Sequence, residues 1–85
     1  MKQPIEALVR AVLAEHLETD VDAIHADHHL ADDLGLTPLG VVLVVLDIED
    51  VEDVFLPFEQ LEQVKTVSDL ARFVSHARDE RRYAV

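Results

Sequence analysis

The sequence predicts an all-α fold, a four-helix bundle with three main helices and one short one. Three observations point to it. Apolar residues make up 49% of the chain, enough for a packed core and too many for disorder. Only two glycines and three prolines interrupt it, too few for a turn-rich β fold. Three long stretches repeat apolar residues at helical spacing, and helix-start residues precede them at Pro4, Thr37-Pro38 and Thr66.

The first stretch places Ile5, Leu8, Val9, Val12, Leu13 and Leu17 on one face. It predicts an amphipathic helix over 4–17, with Glu6, Arg10 and Glu15 outward. A long connection follows over 18–36. Its apolar residues Val21, Ile24, Leu30, Leu34 and Leu36 lack sustained helical spacing and read as pegs that tie the loop to the core.

Residues 38–54 are ambiguous on propensity alone. The run Val41-Val42-Leu43-Val44-Val45-Leu46 suits a buried strand as well as a helix. Two features argue for helix. Thr37 can cap, and Pro38 suits a first helical position, where its missing N–H costs nothing. Helical geometry also aligns Val44, Ile48, Val51 and Phe55 as one core stripe. Phe58, Leu61 and Val64 recur every third residue and predict a short helix over Pro57–Val64. Thr66 with Asp69 forms a variant capping box for a last helix from Val67 to about Arg81. That helix buries Val67, Leu70, Ala71, Phe73, Val74 and Ala77. The 85 residues thus read as a single domain over 1–85, with its core at about 4–77 and a frayed basic tail at 78–85. A domain this small buries only about 60–65% of its unfolded surface, so the core must be compact.

Composition also removes whole classes of function. Cysteine is absent, which excludes disulfides, thiolate metal sites and thiol nucleophiles. Eighteen acidic against seven basic residues give a net charge of −11. That charge disfavours nucleic acid and favours partners with basic patches. No apolar run approaches the roughly 18 residues that span a bilayer. The opening MKQPIEALVR carries charges at Glu6 and Arg10 and lacks a signal-type apolar core. A cytoplasmic protein is expected.

The centre of the chain is Ala31–Leu46, ADDLGLTPLGVVLVVL. Asp33-Leu34-Gly35-Leu36 leads into Thr37-Pro38-Leu39. Leu56-Pro57 precedes the short helix, and Lys65-Thr66-Val67 opens the last one. Taken together at these separations, the motifs resemble an acyl carrier protein over about residues 4–77. That family has Asp-Leu-Gly, one further residue, then Asp-Ser-Leu, with the serine carrying 4′-phosphopantetheine. The resemblance implies its four-helix bundle. It also puts Pro38 at the serine position and Thr37 at the preceding aspartate. Proline offers no hydroxyl for a phosphodiester, so no cofactor is expected. Thr37 is the weak alternative attachment site.

His25, Asp27, His28 and His29 cluster in the loop, with His16 nearby in sequence. Their spacing matches no closed metal site, and solvated loop residues are the reading favoured. Ser68 and Ser75 imply no catalytic constellation. No catalytic or metal residue is assigned, and the protein is expected not to be an enzyme.

The core stripe Val44, Ile48, Val51 and Phe55 turns Leu43 and Leu46 outward. The family register rotates the helix by roughly a quarter turn, because the family's core aromatic falls on Glu52, and the two leucines still face out. The resemblance implies that partners read this outer face. Leu43, Leu46, Asp47 and Asp50 are therefore the candidate partner-binding residues, within an acidic rim of Asp47, Glu49, Asp50, Glu52 and Asp53. The expected function is a carrier-like, non-enzymatic protein-interaction module. Its partner presents a basic and apolar surface, as a biosynthetic enzyme would, and a weak homodimer is a further expectation. The alternative is a genuine acyl or peptidyl carrier of fatty acid, polyketide or related biosynthesis, with an atypical attachment site.

Overall fold

The computed structural model describes residues 4–83, with side chains through Asp79. Three α-helices, α1 (Ile5–Leu17), α2 (Pro38–Glu52) and α3 (Val67–Tyr83), alternate with two 3-10 helices, Val21–Ala23 and Phe58–Gln63. This is a small helical bundle of the acyl carrier type. Helix α1 packs on both α2 and α3.

Helix α1 buries Leu8, Val9, Val12 and Leu13, as its spacing predicts. It ends in a Schellman arrangement. Glu18 takes the left-handed conformation (φ 52°, ψ 47°). Thr19 N–H bonds back to Ala14 O at 3.0 Å, and Glu18 N–H to Glu15 O at 3.3 Å.

The long connection is held by backbone as much as by apolar pegs. Ile24 and Leu30 are buried, and Leu34 and Leu36 pack partly against the core. Val21, expected as a peg, is instead exposed. It belongs to the first 3-10 helix, Val21–Ala23, one turn long, which buries no residue. Leu30 N–H bonds Lys65 O at 2.8 Å, and His29 and Thr66 form an isolated antiparallel bridge. The first N–H groups of α3 are satisfied from the same loop: Val67 donates to His28 O and Ser68 to Ala26 O.

The stripe expected on α2 is half right. Val44 and Ile48 are buried, but Val51 is 56% and Phe55 77% exposed. The helix takes the rotated register, with Val45 as its third buried residue. It also stops earlier than expected. Asp53 turns left-handed (φ 54°, ψ 48°), and an extended segment follows in which alternate residues face opposite ways. Val54 and Leu56 enter the core while Phe55 points out. Glu52, at the position the family resemblance gives to an aromatic, is half-buried and pairs with Arg78 of α3. Arg78 was expected in a frayed tail. It lies within α3, which continues to Tyr83. Residues 84 and 85 of that tail lie outside the described residues.

The short third helix is a 3-10 helix over Phe58–Gln63. Recurrence every third residue is the period of that helix type. The predicted capping box on α3 is present: Asp69 N–H donates to Thr66 Oγ1 at 3.0 Å, and Thr66 N–H to Asp69 Oδ2 at 3.1 Å.

Candidate functional site

The candidate site is built from the turn at Ala31–Leu36 and the outer face of α2. Leu36 N–H bonds Leu30 O at 2.9 Å and closes the turn. Gly35 within it sits at φ 72°, a conformation that costs side-chained residues free energy. Leu36 then packs over Gly40, where an added Cβ would lie 3.2 Å from its Cδ2.

Thr37 is the N-cap of α2, and its Oγ1 accepts from Gly40 N–H at 3.0 Å. Pro38 is the first helical residue and is exposed. The one hydroxyl within this turn is thus engaged in capping, one residue before the position to which the resemblance assigns the attachment serine. Pro38 itself has no atom that could bear a phosphodiester. These residues do not fit a phosphopantetheine anchor at position 38.

Beside Pro38 lies an open, mainly apolar groove of about 500 Å³, whose walls include Leu36, Val41, Phe58, Leu61 and Lys65. The sequence did not mark it, because its walls come from three separated segments.

Leu43 and Leu46 face outward, 48% and 45% exposed. Leu39, one helical turn before Leu43, is 67% exposed and extends the stripe. The sequence reading passed over Leu39, although its spacing of four and seven residues from the other two was visible.

The acidic rim is largely turned to internal use. Asp47 Oδ2 lies 3.2 Å from His16 Nε2 of α1. Glu49 Oε2 accepts from Leu56 N–H at 2.7 Å and anchors the chain just beyond α2. Glu52 pairs with Arg78. Of the proposed contact acids, Asp50 is exposed and Asp47 is partly covered.

The histidines do not converge. His25 and His28 meet edge to face with ring centres 4.8 Å apart, and His25 N–H donates to His28 Nδ1 at 3.1 Å. His29 N–H donates to Asp33 Oδ2, while His16 is occupied at Asp47. Among the described residues no three His, Asp or Glu side chains are grouped to hold a metal. Among the described residues no helix is long and apolar enough to cross a membrane.

A family model described as the phosphopantetheine attachment site matches residues 7–74. No curated protein matches the chain at a significant level. The family match spans α1, the long connection, α2, the second 3-10 helix and the first half of α3, the same elements that carry the site. By that match the chain belongs to the phosphopantetheine-attachment family of acyl-carrier-like domains.

Proposed function

We propose that this domain keeps the carrier fold for protein recognition and carries no phosphopantetheine arm. The observation that supports this most is the start of α2. Pro38 stands where the resemblance places the attachment serine, and the neighbouring Thr37 hydroxyl caps Gly40 N–H. The domain acts without catalysis. It is recognised through Leu43 and Leu46, with Asp50 and the partly covered Asp47 supplying negative charge at one end of the stripe. The partner offers an apolar surface with a cationic group beside it, and a biosynthetic enzyme working in the cytoplasm is the class we assign. Complementary charge would speed such an encounter and fix its register.

Co-expression with a broad-specificity phosphopantetheinyl transferase, followed by intact-mass measurement, tests the reading. The expected result is the unmodified mass. An added phosphopantetheine mapped to Thr37, or to any other residue, would establish a genuine carrier with an atypical attachment site.

A further inference from the structure

Helix α2 has an uneven charge distribution along its length. Residues 38–46 carry no charge, and acids begin at Asp47. Its first turn contains no acidic residue and its last turn no basic one. Leu39, Leu43 and Leu46 are exposed, and half-buried Val42 lies between them on the same stripe.

We propose that this stripe pairs with the same stripe of a second copy, antiparallel, about a two-fold axis between Val42 and Leu43. This goes beyond capture of a basic partner and competes with it for the same face. A two-fold at that point is self-complementary, as a closed dimer requires. It sets Leu39 against Leu46 of the second copy and Val42 against Leu43 of the second copy. Asp47 and Asp50 of each chain then fall beside the start of the other chain's α2. There they meet the positive end of the helix dipole; Pro38 has no N–H, and the Gly40 and Val41 N–H groups are already bonded to Thr37. A parallel pairing would set each carboxylate against its own counterpart, and like charges facing each other oppose association. Charge complementarity therefore selects the antiparallel arrangement. The net charge of −11 on each copy resists the approach, and dissolved salt screens that repulsion. The dimer is weak in dilute buffer and strengthens with salt, whereas capture of a basic partner weakens with salt.

Sedimentation equilibrium on the full chain across a sodium chloride series reads the association, and cross-linking reads the register. The chain has no cysteine of its own, so introduced thiols report alone. Leu39→Cys and Leu46→Cys both sit at exposed positions. Mixed under mild oxidation at high salt, they should give a disulfide-linked pair joining 39 to 46. Each alone should give far less, because a disulfide needs its Cα atoms within about 7 Å and identical positions lie several helical residues apart in this register. Leu43→Glu should leave the chain monomeric. Val51→Glu, on an exposed part of α2 away from the stripe, should not. A chain that stays monomeric at all salt concentrations, single variants that cross-link as readily as the mixture, or a Val51→Glu effect equal to that of Leu43→Glu would each overturn the proposal. None of these outcomes bears on whether Pro38 prevents phosphopantetheine attachment, which the mass measurement decides separately.

Discussion

Asp69 shows how much one side chain does in a domain this small. Its carboxylate accepts from the N–H groups of both Lys65 and Thr66 and pairs with Arg72. The Lys65 N–H bond is the largest influence on its pKa. With help from Thr66 and Arg72, it outweighs partial desolvation and holds the pKa below the usual carboxylate value. A carboxyl whose pKa is lowered by folding stabilises the native state while it is ionised. That contribution is present above the unfolded value of about 3.9 and is lost as pH falls through the lower folded value. Asp69→Asn should therefore cost about 1 kcal/mol at neutral pH. The gap to the parent should close as the pH drops below about 4. Urea denaturation at neutral and acid pH checks this, and a gap that stays constant would show that the carboxylate charge contributes nothing. Gly35 gives a second prediction. At φ 72° with open space where a Cβ would stand, the difficulty is conformational and not steric crowding. Gly35→Ala should cost about 1–2 kcal/mol, and Gly35→Asn less, since asparagine tolerates the left-handed region.

At the scale of elements, what the sequence revealed depended on how local the cause was. The caps of α2 and α3 were legible because Thr37 acts on Gly40 and Thr66 on Asp69, both within one turn. The phase of α2 was not. Residues 41–46 are apolar on every side, so periodicity alone cannot choose the buried face. Packing on α1 makes that choice, and it sends Val51 outward and Val45 inward. The candidate face was legible in part. Leu43 and Leu46 could be placed because both plausible phases turn them out. The fates of Asp47 and Glu52 could not, because their partners lie 31 and 26 residues away in sequence. Ile48 provides the contrast that tests the face. It is fully buried, while Leu43 and Leu46 are half exposed. Leu43→Glu and Leu46→Glu should retain near-parental stability. Ile48→Glu should unfold the domain, since an unpaired charge would have to leave water. Chemical denaturation of the three variants decides the matter, and equal losses would place the leucines in the core. The Glu52–Arg78 pair offers a further test across α2 and α3. Both side chains are largely covered, and Arg78 Nε is buried without an acceptor. Replacing one partner should destabilise. Replacing both with methionine should be neutral or stabilising by up to about 1–4 kcal/mol, because two desolvated charges are removed together.

Over the whole molecule, the dominant physical fact is the excess of carboxylates. Eighteen acidic residues face seven basic ones on a body with a radius of gyration of 12.1 Å. Arg10, Arg72 and Arg78 each pair with one acid, Glu6, Asp69 and Glu52. Even with every basic residue paired, the chain keeps an excess of eleven carboxylates. In the unfolded chain the same charges lie farther apart, so folding brings repulsion with it. At low salt that repulsion acts across the whole domain. At about 0.1 M salt the screening length is about 10 Å, shorter than the span of the molecule, and distant pairs no longer oppose folding. The exposed ion pair Arg10–Glu6 is weakened by the same screening, but such pairs contribute only about 0–1 kcal/mol each. Relief of repulsion therefore outweighs the loss of attraction. The melting temperature should rise from dilute buffer to moderate sodium chloride and then level off. Substituting potassium chloride should give the same curve, because screening depends on ionic strength and not on the identity of the cation. A melting temperature that falls with salt would mean that the attractive pairs dominate. A rise specific to one cation would point to binding at a site instead of screening.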